Sequence, residues 1–230
     1  MLPLVDVHGL KYRYEDGTTA LAGVDFQLMP GETVALLGAN GSGKTTFILH
    51  LNGLLESEGV VTICGLPLCE KNLVEIRSKV GMVFQDSDEQ LFMPTVLEDV
   101  AFGPLHQGLD SEEAKRVALA ALSSVGMDHL SMKAPYHLSA GEKKRVAIAG
   151  VLAMNPEILI LDEPTTFLDP PGQRGLVELL RSLPQAKLIV THDTHFAQQL
   201  ASRAVFFEKG KIKGAGGVEQ IMNEFNWRPC

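Results

Sequence analysis

The stretch "TVALLGANGSGKTT", Thr33 to Thr46, sets an apolar, β-branched run against a glycine-rich turn followed by a lysine and two threonines. The run reads as a strand and the residues from Lys44 onward as the start of a helix. The turn between them fulfils G-x-x-x-x-G-K-[ST] in the strand-to-helix setting that gives this pattern its meaning. Glycines at 38, 41 and 43 let backbone N–H groups close around a phosphate at a helix N-terminus, whose dipole favours an anion. In such a cradle, formed by Gly38, Ala39, Asn40, Gly41, Ser42 and Gly43, Lys44 reaches the β- and γ-phosphates of a nucleoside triphosphate. The Thr45 hydroxyl can ligate Mg2+, and Thr46 extends the contacts towards the α-phosphate. A glycine-rich turn that matches by chance would lack these flanking elements.

Further strand-like runs recur at "VDVHGL", "GVDFQLM", "GVVTICG", "VGMVFQ", "EILILD", "KLIVTH" and "RAVFFEKGKIK". Helical segments lie between several of them, the pattern of a largely parallel sheet covered on both faces. Three of these runs end in groups that suit the phosphate loop. "ILILDEP" delivers Asp162 and Glu163 to a strand's C-terminal end, where parallel sheets hold their ligands. Asp162 would reach Mg2+ through water and Glu163 would align or deprotonate an attacking water; seen alone, the pair would read as a helix cap. "LIVTHDTH" ends at His192, placed to hydrogen-bond a γ-phosphate, and "VGMVFQ" at Gln85, whose amide carbonyl can touch Mg2+ or water. His192 with His195 does not read as a zinc site, because no carboxylate or thiol pattern closes the coordination. Tyr14 suits either stacking on a base or a cross-strand aromatic pair.

From about Thr95 to Ala153 the alternation gives way to three helical candidates in succession. "TVLEDVAFG" opens on a Thr95…Glu98 capping box, "DSEEAKRVALAALSSVG" ends at Gly126, and "HLSAGEKKRVAIAG" opens on a Ser139…Glu142 capping box. The expected organisation is a single domain over 1–230, with an α/β core at about 1–92 and 155–230 and an inserted helical subdomain at about 93–154.

Bulk properties narrow the function classes. With 230 residues and 45% hydrophobic composition, the chain can bury a full core. A formal charge of −8 argues against a sequence-independent grip on nucleic acid, so phosphate must be held locally. Cys64, Cys69 and Cys230 are an odd number at unrelated spacings and read as reduced thiols of a cytosolic protein. No apolar run approaches the roughly 20 residues that cross a bilayer, and "MLPLVDVHGL" reads as a first strand rather than a secretory signal.

With these residues placed, the chain resembles an ABC-transporter ATPase over essentially its whole length. The match lies in the order Tyr14, "GANGSGKT", Gln85, "LSAGE", "ILILDEP", Leu168-Asp169 and His192. The resemblance implies an ABC ATPase fold, a P-loop NTPase core whose largely parallel sheet carries an antiparallel β part, with ATP and Mg2+ as cofactors. It also implies two copies sandwiching ATP head to tail, Ser139 and Gly141 of one presenting a hydroxyl and amides to the γ-phosphate held by the other. The family's signature reads L-S-G-G-Q, so Ala140 and Glu142 are departures that add a methyl and a charge. Asp169 corresponds to a carboxylate that crosses the dimer interface, although a plain helix N-cap explains it equally well.

A closer resemblance is to the ATPases of energy-coupling factor transporters, especially the cobalt and nickel type. It rests on "FQDSDEQLFMPTVLEDVAFGP" and "LSAGEKKRVAIAGVLAMNPEILILDEPT"; the family's D-N-Q-L-F stands here as Asp88-Glu89-Gln90-Leu91-Phe92, without the Asn. Implied are a homodimer, integral-membrane transport subunits as partners, no nucleic acid, and a peripheral place on the cytoplasmic face of a bacterial or archaeal membrane. A biotin or other vitamin importer and a soluble assembly factor are the competing readings.

Overall fold

The computed structural model describes residues 2–56 and 58–227. Cys230, read above as a reduced thiol, lies outside them; Cys64 and Cys69 are free. The chain opens with β1 (Val5–Arg13), β2 (Thr19–Leu28) and β3 (Thr33–Leu37), enters α1 (Lys44–Leu51), and returns through β4 (Glu58–Ile63) and the short β5 (Leu66–Pro67). Helix α2 (Leu73–Lys79) leads into β6 (Val80–Val83), and then come α3 (Val96–His106), α4 (Ser111–Ser124) and α5 (Ala140–Leu152). Alternation resumes with β7 (Ile158–Asp162), α6 (Pro170–Ser182), β8 (Ala186–Val190), α7 (Thr194–Leu200), β9 (Arg203–Glu208), β10 (Lys211–Gly216) and α8 (Val218–Glu224).

Two sheets result, an antiparallel one in the order β2-β1-β4-β5 and a mixed one in the order β10-β9-β3-β8-β7-β6. Within the second, β9, β3, β8, β7 and β6 are parallel and β10 is antiparallel. The expected largely parallel sheet with an antiparallel part is what forms. Every residue of β7 and β8 is buried, as strands covered on both faces must be. Successive side chains serve opposite layers: Ile158 and Ile160 join α1 and the antiparallel sheet in one apolar cluster, while Leu159 and Leu161 join α3, α4, α5 and α6 in another. A smaller third cluster forms where Ala35 and Leu37 of β3 meet α7 and α8.

Local chemistry fixes the three successive helices. The Thr95 hydroxyl accepts from Glu98 N and the Glu98 carboxylate accepts from Thr95 N; Ser139 and Glu142 repeat the exchange at α5. Asp110 caps α4 by accepting from the N–H groups of Glu112 and Glu113. One run is divided differently from its sequence reading. "RAVFFEKGKIK" folds as the hairpin β9–β10, because Lys209 (φ 48°) and Gly210 (φ 72°) both turn left-handed, as a tight hairpin turn demands.

Candidate nucleotide site

Parallel register lines up the strand ends that carry the candidate groups. Leu36 pairs with Val190 across β3–β8 and Asp162 pairs with Val190 across β7–β8. The phosphate loop, Glu163, His192 and, two residues past β6, Gln85 all leave from this edge.

The loop needs its glycines. Gly38 sits at φ 137°, where an added Cβ would lie 2.2 Å from the Phe207 carbonyl oxygen; Gly43 sits at φ 108°, where a Cβ would lie 2.5 Å from that of Ala20. The backbones of β2 and β9 therefore press directly on the loop. Gly43 begins α1 without a side-chain cap, so the first-turn N–H groups are not occupied by one. Ser42 N donates to Ala39 O, and Gly210 N ties the Ser42 carbonyl to the β9–β10 turn. Lys44, only 6% exposed, donates to the carbonyls of Gly38 at 2.7 Å and Ala39 at 3.0 Å. Burial lowers its pKa, and the carboxylates of Glu163 and Asp162 push it partly back up.

Thr45 Oγ1 donates to Asp162 Oδ2 at 3.3 Å, and Asp162 Oδ1 is buried with no hydrogen-bond partner among the described residues. Burial first, and Glu163 next, raise the Asp162 pKa. A buried carboxylate oxygen without a donor, beside a hydroxyl at a phosphate loop, fits a hard cation with oxygen ligands such as Mg2+. Glu163 holds a left-handed backbone (φ 41°), anchored by its N–H to the Val190 carbonyl. Its Oε2 lies 2.8 Å from His192 Nδ1 and accepts from His192 N at 3.3 Å. With Nδ1–H engaged, a neutral ring carries its lone pair on Nε2.

A cleft of about 390 Å3 is lined by Tyr14, by Asn40, Gly41 and Gly43 to Thr46 of the loop, and by Gln85, Asp162 and Glu163. Tyr14 OH hydrogen-bonds Thr46 Oγ1 at 2.9 Å, and its ring meets Tyr12 edge-on, a neighbour two residues back rather than across the strand. Ser139, Ala140, Gly141 and Glu142 do not line this cleft; they form the tip of α5, with Ser139 exposed. There the Ser139 hydroxyl donates to Glu142 Oε2 at 2.8 Å. These bonds to Ser139, backbone first, hold the Glu142 carboxyl below its usual pKa. Asp169 accepts from Gly172 N at 2.8 Å and caps α6 ahead of Pro170 and Pro171.

Sequence reading missed one group. Lys144 is 3% exposed and donates to the carbonyls of Phe84 at 3.1 Å and Gln85 at 2.8 Å. Burial lowers its pKa to about 8, against the opposing pull of Asp86 and Asp162. The available signal was a lysine on the apolar stripe that continues through Ile148 and Val151. A larger groove, about 1080 Å3, runs along Met82, Leu91, Phe92, Phe102, Val151 and Met154. Asp99 lies in its wall, accepting from Phe92 N and Met93 N, with Oδ2 buried and without a hydrogen-bond partner among the described residues.

The family profile described as ABC transporter matches residues 21–166. The chain belongs to the ABC transporter family. A provisionally named ABC transporter ATP-binding protein of Streptomyces avermitilis is 51% identical over 221 residues, 96% of this chain and 84% of the relative. The energy-coupling factor transporter ATP-binding protein EcfA of Methanocaldococcus jannaschii is 45% identical over 227 residues, 96% of this chain and 81% of the relative. Among solved structures, cbiO1 of Clostridium perfringens, part of the ABC transporter complex cbiONQ, superposes with a TM-score of 0.86 at 37% identity, covering 97% of this chain and 92% of cbiO1. The ABC cassette MJ0796, solved as a dimer and also in a post-hydrolysis state with ADP and Pi, gives a TM-score of 0.83 at 29% identity over 93% of this chain and 98% of that one. This ABC cassette is thus an ATP hydrolase and the ATP-binding subunit of an ABC transporter, similar to EcfA and cbiO1. Among the described residues no helix is long and apolar enough to cross a membrane.

Proposed function

We propose that two copies of this cassette close on two Mg-ATP, hydrolyse them and reopen, powering an energy-coupling factor importer for cobalt or nickel ions from the cytoplasmic face of the membrane. The observation that carries the reading is the convergence, in one chain, of a glycine cradle, an unpartnered Asp162 oxygen beside the Thr45 hydroxyl, and a Glu163–His192 pair at 2.8 Å. A complete hydrolytic set in each chain favours a homodimer with two working sites. The choice of cobalt or nickel is supported by likeness to cbiO1 and by the Asp88–Phe92 segment.

In this mechanism the amides of Gly38 to Gly43 and the ammonium of Lys44 hold the β- and γ-phosphates, and Tyr14 packs on the base. Thr45, Asp162 and Gln85 would hold Mg2+, which neutralises charge on the β- and γ-oxygens when bound. Glu163 accepts a proton as the water oxygen bonds to the γ-phosphorus and the bond to the β,γ-bridging oxygen breaks. His192 fixes the Glu163 carboxylate through Oε2, leaving Oε1 to take the water; a proton on both ring nitrogens would let its Nε2 donate to the γ-phosphate as well. Ser139 and Gly141 of the second copy supply the remaining donors, so closure completes the site. The helical subdomain at about 93–154 carries these donors into place, with Asp169 linking the two sites across the interface.

The large groove beside Gln85, apolar with Asp99 in its wall, is the docking place for the membrane subunits. Replacing Glu163 with Gln and titrating Mg-ATP tests the catalytic assignment: a trapped ATP-bound dimer is expected, and turnover at the parental rate would overturn it. Co-purification with polytopic membrane proteins, and ATP-dependent Co2+ or Ni2+ uptake by the reconstituted complex, test the transport assignment. Capture of a soluble scaffold instead would refute it.

A further inference from the structure

The segment Phe84–Phe92 borders both cavities, since Gln85 lines the nucleotide cleft and Gln90, Leu91 and Phe92 line the larger groove. It is closed on itself, with Phe84 N donating to Gln90 Oε1 at 3.3 Å. Two consecutive lysines of α5 clasp it. Lys143 Nζ sits 2.6 Å from Asp88 Oδ1 on the exposed side, and Lys144 Nζ sits between the carbonyls of Phe84 and Gln85 on the buried side. The two clasps differ in kind. The Lys143–Asp88 pair is partly solvated, with 64% of the Asp88 side chain exposed, and surface pairs contribute little. Lys144 is 3% exposed, and removing its head would leave two partly buried backbone carbonyls without this partner.

We propose that Lys144 is a positioning residue for hydrolysis: it bolts the Gln85 segment to the helix whose tip carries Ser139, so that Gln85 takes its place in the cleft only in register with α5. The proposal rests on the reading of the cleft given above. The bonded groups are main-chain carbonyls, so Lys144 acts on where the Gln85 backbone sits and leaves the Gln85 side chain free to reach the cleft. Movement of α5 is then transmitted to Gln85 at one end of the segment and to the groove wall at Phe92 at the other. Loss of the bolt releases Gln85 without touching the phosphate loop, which carries ATP affinity.

The test is a double-mutant cycle on the full chain, with steady-state ATPase kinetics normalised to folded protein by circular dichroism. Lys144→Met should lower kcat about tenfold with the KM for Mg-ATP changed less than about threefold, the size expected of a misplaced group that does not itself react. Lys144→Arg, which keeps a cation and its donors, should recover most of that loss. Gln85→Ala should cost a similar factor, and Lys144→Met added to Gln85→Ala should cost less than about twofold more, because both remove the same contribution. Multiplying effects, or a kcat that merely follows the folded fraction, would overturn the assignment. If Lys144→Met does not fold, Lys144→Gln, whose amide is too short to reach both carbonyls, decides in both backgrounds: a kcat loss that is the same with and without Gln85 overturns the assignment, and one confined to the Gln85 background supports it. The two readings fail separately. Parental turnover in Glu163→Gln removes the reading of the cleft, whereas multiplying losses at Lys144 and Gln85 with Glu163 still essential remove only the bolt.

Discussion

Replacing Glu142 with Gln should tighten ATP-driven dimerisation. In the proposed closed dimer, the Ser139 hydroxyl faces the partner's γ-phosphate while standing 2.8 Å from Glu142 Oε2. A phosphate oxygen within hydrogen-bond reach of that hydroxyl, about 2.7 Å, therefore lies at most about 5.5 Å from the carboxylate. Two unit charges at that separation repel by about 0.8 kcal/mol in water and about 3 kcal/mol at an effective dielectric of 20. Taken at its solvated limit the repulsion is about 1 kcal/mol per signature, and closure of the interface can only enlarge it. Two signatures per dimer give about 2 kcal/mol, or about 30-fold in the dimerisation constant. Gln supports the same capping box, so α5 keeps its N-terminal bonds and folding is little affected. The Ser139 proton is freed as well, since the carboxylate that now accepts it is replaced by a weaker acceptor. The assay is light scattering against Mg-ATP at several protein concentrations, in a Glu163→Gln background that suppresses turnover. Association unchanged or weakened by Glu142→Gln would refute the electrostatic reasoning and the placement of Ser139 at the partner's phosphate.

Three further outcomes follow from the geometry. Glu163→Gln should reduce kcat by about 100-fold or more, the usual contribution of a general base, and phosphate release from purified dimer measures it directly. Phe167 holds φ 65° with 74% of its surface exposed, so Phe167→Gly relieves about 1–2 kcal/mol of backbone strain against about 0.5–1 kcal/mol of added chain entropy. Its melting temperature in calorimetry should rise by about 1–4 °C, and a fall would contradict the strain. Burial, and secondarily Glu98, raise the Asp99 carboxyl above its ordinary 3.8, so the ionised form costs stability at neutral pH. Asp99→Asn retains the acceptor for Phe92 N and Met93 N and should gain about 1 kcal/mol, or about 2–4 °C, at pH 7–8. That advantage should shrink as the pH falls through the raised folded-state value and vanish below the unfolded one, where the wild-type carboxyl is protonated in both states; a pH-independent gain in thermal melts would refute the cause.

What the sequence disclosed and what it withheld divide along the range of the forces involved. The phosphate loop was readable because its conformation excludes a side chain at Gly38 and Gly43, and the capping boxes at 95/98 and 139/142 because each closes within one turn. Asp162, Glu163 and His192 could be assigned to strand ends from short buried runs. Their pairing could not be, because the 2.8 Å contact between Glu163 and His192 depends on the β7–β8 register, which no local pattern encodes. The β9–β10 turn was hidden for a related reason: Lys209 is a poor signal for a left-handed residue, and only Gly210 pointed to a turn. Lys144 was overlooked because a lysine in a polar-looking run, "GEKKR", reads as solvated until the helix is rotated onto its neighbours.

Leu159 and Leu161 of β7 and the inner faces of α3, α4 and α5 belong to one continuous apolar cluster. The inserted helices are accordingly not a detachable module. A fragment cut at about 93 and 154 would uncover greasy surface on both pieces, and a protease nicking one of the loops beside α4 should yield two chains that stay together through native chromatography and separate only in denaturant. Any rocking of the helical layer during the ATP cycle would slide its side chains over Leu159 and Leu161, on the strand that ends in Asp162.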